Sequence, residues 1–465
     1  MEAIRLAELA QAVGGVLLGD CGDPEILITG ATSDNRKTAP GDVFFAYVGE
    51  NTDGHKYVKA ALEAGAAGCV ISKDPGEYVP GKFYVLVEDT ILAAGDLARY
   101  YRAGFDIPVI AVTGSVGKTT TKDMIAAVLS RKFNVLKTEG NFNNNIGLPR
   151  TLLRIDSKTE IAVVEMGMNH LGEISYLTGI GRPTAAVITN IGEAHIGNLG
   201  SKENIFKAKC EIFEGLREGG LAVLNGDDEF LVRLREDPEM LQKCELAYVG
   251  EAEDADYRAL DLRQEKEDET VFTAVTPENG SYQVRVPAVG QHFIYPVLTA
   301  CALGTYFGMT PQEIQEGIQQ YIPTKMRMEM IHCDGNILIY NDTYNANPQS
   351  MKAGLQILSK AADRKKVAVL GDMFELGEAS ERLHREVGAC AAQMGLDALV
   401  AVGEACAFMA DEAVKGGMKN VFACGTKEEA KKVLKDLIAP DTAFLCKASR
   451  GMALEELAAF IRENA

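Results

Sequence analysis

Apolar residues along the chain gather into short, nearly unbroken runs, and between those runs they recur at helical spacing. The first pattern reads as buried strands and the second as amphipathic helices. In the first part of the chain, "GVLLG", "EILITG", "DVFFAYVG", "GCVIS" and "FYVLVED" are strand candidates. "MEAIRLAELAQAV", "YVKAALEAGA" and "ILAAGDLARYYRAG" are helix candidates. Together they predict a small α/β domain over residues 1–104. Pro108 opens a second unit, expected over 105–322, with "VIAVTG" as a buried strand and "KTTTKDMIAAVLSRKF" as a helix. Further strands are expected at "IAVVEMG", "AAVITN" and "LAVLNGDD". Strand–helix alternation implies parallel pairing. Residues 245–289 read instead as hairpin strands with turn residues, and predict an antiparallel flap on that unit. From about Pro323 the pattern resets. "ILIYNDT", "KVAVLGD", "ALVAVG", "NVFACG" and "AFLCKAS" predict a doubly wound, Rossmann-like unit over 323–465. The expected fold class is α/β in three domains, in line with roughly 150 residues per domain in a chain of 465.

Composition narrows the function classes. With 47% apolar and 24% charged residues the chain has material for large cores. The formal net charge of −19 makes nucleic acid and anionic membrane surfaces poor partners. No run reaches the roughly 18 apolar residues of a membrane span, and the start lacks the basic end of a secretory signal. The ten cysteines include no C-x-x-C pair, so buried thiols in a reducing cytoplasm are expected.

The stretch "PVIAVTGSVGKTTTKDMI", residues 108–125, carries the chemistry. A strand, a small-residue turn, a Lys-Thr pair and a helix form a phosphate cradle, in which backbone N–H groups and the helix dipole face an anion. The common spacing G-x-x-x-x-G-K-S/T would put glycine at 112, where this chain has Val112. Gly114, Ser115, Val116 and Gly117 form the turn. Lys118 is expected to reach the β/γ-phosphates, the Thr119 hydroxyl to sit on Mg²⁺, and Thr120 to continue the ATP site. The central unit is therefore expected to be a P-loop-type mononucleotide-binding domain. Glu165 ends the strand of "EIAVVEMG", at the carboxyl edge where open α/β sheets bind ligands. A carboxylate there is costly unless paired or metal-bound, so Glu165 is a candidate Mg²⁺ ligand. His195 follows the next strand at the corresponding edge and is the candidate for a second metal.

The segments "TGSVGKTTTK", "GNFNNNIGLPRTLL", "EMGMNHLGEI", "TNIGEAHIGNLGS…KAKCEIF", "NDTYNANPQSM", "VLGDMFELGE" and "KASRGM" occur in this order over most of the chain. The chain resembles the Mur ligase family of peptidoglycan synthesis, whose loop is T-G-S/T-x-G-K-S/T, so Val112 is normal for it. "NFNNNIGLP", "YNANP" and "LGDMFELG" resemble the branch that adds D-Ala-D-Ala rather than single amino acids. The resemblance implies a cytoplasmic, monomeric enzyme of cell-wall precursor synthesis. ATP phosphorylates the terminal carboxylate of UDP-MurNAc-tripeptide. The D-Ala-D-Ala amine attacks the acyl phosphate, and UDP-MurNAc-pentapeptide and phosphate are released. Two ATP-stage anions meeting at ~4 Å repel by about 4 kcal/mol at an effective dielectric of about 20. Two Mg²⁺ ions and Lys118 are expected to offset that term.

Further roles follow from the same resemblance. Lys209, in "KAKCEIF", matches a lysine that carries a carbamate in relatives and serves beside the metals. Ser33 and Arg36 match the uridine-diphosphate end, where a guanidinium fork suits a diphosphate. Asn143 and Asn144 are expected beside the muramoyl-peptide. Arg327, Asp342, Tyr344 and Asn345 are expected around ATP, with Asp342 on a ribose hydroxyl. Lys447, Ser449 and Arg450 are expected near D-Ala-D-Ala. One departure stands out: the family's adenine-side segment G-x-H-N-x-x-N reads "GQHFIYP" here, with Phe293 and Pro296 in place of two asparagines. Hinges are expected near 104 and 323. Two other readings remain open at this point. One is an amide ligase of folylpolyglutamate or cyanophycin type. The other is a nucleotide-binding regulator without ligase chemistry, which the retention of Lys118, Thr119, Glu165, His195 and Lys209 disfavours.

Overall fold

The computed structural model describes residues 1–19, 23, 25–49 and 52–465. Its strands are β1 (Ile4–Arg5), β2 (Val16–Leu18), β3 (Leu27–Ile28), β4 (Gly30–Thr32), β5 (Asp42–Phe45), β6 (Gly68–Ile71) and β7 (Phe83–Leu86) in the first part. The middle part has β8 (Val109–Thr113), β9 (Val135–Lys137), β10 (Ile161–Glu165), β11 (Ala185–Ile188), β12 (Gly220–Asn225), β13 (Cys244–Gly250), β14 (Tyr257–Lys266), β15 (Glu269–Thr276) and β16 (Gly280–Val286). The last part has β17 (Glu329–Cys333), β18 (Ile337–Asp342), β19 (Lys365–Gly371), β20 (Ala398–Val402), β21 (Val421–Cys424) and β22 (Thr442–Lys447).

Among the described residues these strands build one sheet per part, plus the small pair β1–β3. The N-terminal sheet runs β2-β7-β6-β5-β4, the central one β16-β15-β14-β13-β12-β11-β8-β10-β9, and the C-terminal one β17-β18-β22-β19-β20-β21. Residues 245–289 differ from expectation only in the parallel pairings of β13. β13 pairs parallel with β12, and β14 parallel with β13, before β15 and β16 turn antiparallel. The expected antiparallel strands are thus present and prolong the edge of the central sheet. β17 went unseen in sequence: its half-buried residues make no clean alternation, and it pairs antiparallel with β18 at an edge.

One face of the central sheet is covered by the helices Lys118–Leu129, Ile294–Tyr306 and Pro311–Gln319, whose apolar residues share a core with β8, β11 and β15. The other face packs against Glu173–Gly181 and Lys202–Cys210 and also against Thr90–Ala103 of the first part. Leu97 and Tyr101 belong to the same core as Leu152, Ile155 and Ile180. The Tyr101 hydroxyl donates to the Ile155 carbonyl at 2.5 Å, and Ser157 N donates to Glu2 Oε1 at 2.6 Å. The expected moving point near 104 is thus bridged by continuous apolar packing, a poor place for a hinge. The C-terminal unit has its own cores on the two faces of its sheet.

Among the described residues no helix is long and apolar enough to cross a membrane. The nine described cysteines are free thiols, most of them buried; Cys21 lies outside the described residues.

Candidate active site

The loop after β8 explains why the cradle begins at Gly114. Val112 is a core strand residue paired with Glu165 on β10 and Val187 on β11. Gly114 has φ +147, and a Cβ there would come within 1.8 Å of Thr189 Oγ1, so only glycine fits. Gly117, at φ +85, then starts the helix Lys118–Leu129. The following strand braces the loop: Ser115 N donates to the Asn190 carbonyl (3.0 Å), Val116 N to Asn190 Oδ1 (3.0 Å), and Thr189 Oγ1 to the Val116 carbonyl (2.6 Å).

The pairing of β8 with β10 and β11 sets Glu165 beside Val112 and Ile188 beside Thr113, at one carboxyl edge. Thr119 Oγ1 donates to Glu165 Oε2 at 2.8 Å, and Asn143 Nδ2 to Glu165 Oε1 at 2.8 Å. Glu165 N donates to Thr138 Oγ1 at 3.0 Å, and the carboxylate is only 2% exposed. Lys118 Nζ turns back on the Gly114 carbonyl at 2.7 Å. Burial lowers its pKa, with Glu165 acting against that and Arg327 reinforcing it. A desolvated ammonium beside the N-terminal turn of the helix Lys118–Leu129 suits an anion.

A cavity of about 950 Å³ lies over this edge. The C-terminal unit closes its far side with the ends of β18 and β22, where Asp342 pairs in register with Lys447. Arg327 stacks on the Tyr344 ring at 4.1 Å, and its buried Nε has no hydrogen-bond partner. That unspent donor fits a phosphate arriving from the opposite wall.

Most of the residues singled out from sequence line this one cavity: Ser115 through Thr120, Asn143, Asn144, Glu165, His195, Arg327, Asp342, Tyr344, Asn345, Lys447, Ser449 and Arg450. Gly114 supports it through its carbonyl. Several side chains are already committed. Asp342 accepts from Met328 N (3.1 Å) and Lys447 Nζ (2.5 Å), so each of its oxygens already has a protein partner. Lys447 also donates to the Asn345 carbonyl (3.0 Å), which leaves it a bracing role beside any substrate carboxylate. Ser449 Oγ accepts from Phe374 N at 2.8 Å, and Arg450 is paired with Glu455 at 2.7 Å. Asn144 Oδ1 caps its own turn by accepting from Gly147 N at 2.9 Å.

Besides Gly114, three expected residues fall outside the cavity wall. Ser33 and Arg36 lie in the loop after β4, where Arg36 is paired with Asp34 at 2.8 Å and its side chain is 83% exposed. Lys209 does not line the cavity; it is 1% exposed. Burial, and then repulsion from Lys118, drives its pKa well below the usual lysine value. The two lysines therefore lie within electrostatic reach of each other.

The sequence reading also missed residues. Asn225, Asp227 and Asp228 line the cavity at the end of β12, where the same edge rule that selected Glu165 would have found them. Tyr295 donates to Asp227 Oδ2 at 3.0 Å. His292 is half-buried on the cavity wall, and its desolvation lowers its pKa to about 4, so it is neutral at pH 7. Glu375 stands beside His195, Oε2 to Nδ1 at 2.6 Å, but the ring N–H direction misses the oxygen, so Nδ1 is buried without a hydrogen-bond partner. No signal within "GDMFELG" selects this partner.

A parallel sheet that presents a phosphate cradle, and a second α/β unit that closes the same cavity with an unspent arginine, define a nucleotide-dependent ligase architecture. The chain belongs to the Mur ligase family: residues 112–304 match the Mur ligase middle domain and 326–450 the Mur ligase glutamate ligase domain. It is 40% identical to the UDP-N-acetylmuramoyl-tripeptide--D-alanyl-D-alanine ligase of Bacillus subtilis (strain 168), over 93% of this chain and 93% of that protein. A crystal structure of MurF from Acinetobacter baumannii superposes with a TM-score of 0.91 at 34% identity, covering 100% of this chain and 99% of the other. MurF ligase from Thermotoga maritima in complex with ADP gives 0.82 at 27% identity, covering 93% and 97%.

Proposed function

We propose that the chain joins D-Ala-D-Ala to UDP-MurNAc-tripeptide at the expense of ATP, forming UDP-MurNAc-pentapeptide, ADP and phosphate. Residues 1–104, 105–322 and 323–465 act as its uridine-diphosphate, ATP and closing domains. The observation that carries the reading is the cluster of Lys118, Thr119 and Glu165 at one sheet edge, facing Arg327 across one cavity.

A carboxylate does not react with an amine because its leaving group would be oxide; phosphorylation supplies a better one. The loop N–H groups and Lys118 hold the β- and γ-phosphates, and Arg327 reaches the γ-phosphate from the closing unit. In-line attack by the tripeptide carboxylate gives the acyl phosphate and ADP. The dipeptide amine then adds to the acyl carbon, and the tetrahedral intermediate expels phosphate. Asn143 positions Glu165 and stands beside the incoming peptide. Thr119, Glu165 and His195, an oxygen, oxygen and nitrogen set on one cavity wall, fit Mg²⁺, which when bound would offset the repulsion between carboxylate and phosphates. Lys209, desolvated and held toward the neutral amine, is primed for the carbamate; a carbamate there would also relieve its repulsion with Lys118.

The test is phosphate release from ATP, followed together with product mass. Release should need both UDP-MurNAc-tripeptide and D-Ala-D-Ala, and acid-oxygen label should appear in the phosphate. ATP hydrolysis indifferent to either substrate would overturn the reading.

A further inference from the structure

The contact between Glu375 and His195 joins two units of the chain and is set by more than one element. Glu375 lies in the loop after β19, and His195 in the loop after β11. Gly197 N donates to the Glu375 carbonyl at 3.1 Å. A Cβ on Gly197 would come within 2.8 Å of that carbonyl oxygen and 2.7 Å of Gly377 N, and one on Gly377 within 2.9 Å of Gly197 Cα. Two glycines are therefore needed for the backbones to approach. His195 and Glu375 both have φ 63, the left-handed region that side chains avoid. Such strain persists where the surroundings over-determine it, and it gathers at functional sites.

The Glu375 loop also stands on a rigid base. Met373 N donates to His384 Nε2 at 3.0 Å, and Phe374 N to Ser449 Oγ at 2.8 Å. Asp372 Oδ1 accepts from Cys406 N at 2.8 Å. The grouping of Asp372, His384 and Cys406 resembles a metal site. Its polar atoms are instead spent on this bracing, His384 Nδ1 lying 2.8 Å from the Ser380 carbonyl.

We infer that Glu375 is a positioning residue for His195. With the C-terminal unit docked, its carboxylate stands 2.6 Å from Nδ1, and a ring rotation that turns the N–H onto it would fix the tautomer and leave Nε2 as the nitrogen with a free lone pair. The partner of one imidazole nitrogen decides the state of the other. Docking and the readiness of the histidine thereby become one event. The residue that completes the site arrives on the unit that closes it. The inference rests on the ligase reading only for its kinetic part.

The test combines turnover with two-bond ¹⁵N–¹H spectra of ¹⁵N-histidine-labelled full-length protein, in which His195→Gln assigns one of the six histidines. The wild type, saturated with a non-hydrolysable ATP analogue, should show His195 protonated at Nδ1. Glu375→Ala should move the signal toward the Nε2–H tautomer. It should also cut kcat roughly 10- to 100-fold, the usual effect of losing a ligand's orienting partner, with little change in the KM for ATP. Glu375→Gln, whose amide oxygen still accepts, should recover much of both. Gly377→Ala should shift the tautomer with Glu375 intact, because it blocks docking. An unchanged His195 tautomer in Glu375→Ala overturns the inference, as does wild-type kcat in that variant. If the wild type makes no pentapeptide, the ligase reading fails, and the spectra still judge Glu375.

Discussion

Thr324 Oγ1 donates a 2.6 Å hydrogen bond to Asp123 Oδ2, and this bond ties the segment entering the C-terminal unit to the helix that follows the phosphate loop. Asp123 also takes Lys137 Nζ at 2.7 Å and Lys122 Nζ at 3.3 Å, and Lys122 in turn donates to the Thr138 carbonyl at 2.7 Å. Thr138 holds Glu165 N through its hydroxyl. The segment that carries Arg327 is thus pinned to the buried frame of the candidate metal carboxylate. The first boundary is spanned instead by apolar packing, with Leu97 and Tyr101 in one core with Leu152 and Ile155.

Burial pushes the Asp123 carboxyl upward, but Lys122, Lys137 and Thr324 outweigh it and hold the group below its ordinary 3.8. Because the folded value is depressed, its contribution to stability is present above the unfolded value and is lost as pH falls through the folded one. Asp123→Asn should therefore destabilise the protein at neutral pH, with the difference from wild type shrinking below about pH 4. Thr324→Val should cost about 1.5–3 kcal/mol, typical of a hydrogen bond to a charged group. Urea unfolding across pH checks both, and a pH-independent Asp123→Asn difference would contradict the first.

His292 gives a pH effect in the same direction from a different cause. Burial lowers it from 6.5 to about 4. Between those values the unfolded chain binds the extra proton and the folded chain does not. Stability is thus complete above about 6.5 and declines as pH falls toward 4, by about 3 kcal/mol in all for this group. His292→Asn should flatten that part of the stability–pH curve. An equal slope in wild type and variant would show that His292 is not responsible.

Lys209 has no place on the cavity wall, yet burial and Lys118 drive it toward the neutral amine. Lys209→Ala should lose on the order of 10²-fold or more in kcat. Partial recovery in added formate or acetate is expected, as is a dependence of the wild type on dissolved carbon dioxide. Full activity of the variant without additives would end the carbamate role.

Phe293 and Pro296 both line the cavity, Phe293 packed edge-on to Tyr321 with ring centroids 5.9 Å apart. Neither brings a side-chain amide, and Pro296 has no N–H to offer in the first turn of its helix. Base discrimination should therefore be shallow, with GTP supporting ligation at a kcat/KM within about tenfold of ATP, a gap of about 1.4 kcal/mol. Strict dependence on adenine under competition between the two nucleotides would refute this.

Much of the site was legible because its parts lie at the ends of apolar runs. "VIAVTG" and "AVVEMG" announce strands, and the residue that ends each run sits at the sheet's carboxyl edge by necessity. Lys118 and Thr119 followed from turn chemistry over a few residues. The extension of the central sheet through β14 to β16 was not legible, because hairpin periodicity is the same whether the strands stand apart or join a neighbour. The commitment of Lys447 to Asp342 was also hidden. Those residues lie 105 positions apart, and only the parallel pairing of β18 with β22 puts them in register.

The amino-acid order alone therefore determined the repertoire: a cradle, a buried carboxylate, a histidine at the adjoining edge, and the family to which they belong. These are properties of short segments, where hydrophobic period and backbone freedom act locally. Tertiary structure decided which edges face one another. It welded the first two units into one body through Leu97 and Tyr101, buried Lys209 near Lys118, and brought Glu375 to His195. Such contacts depend on how whole surfaces pack, and no local pattern records the partner a side chain meets once distant surfaces close.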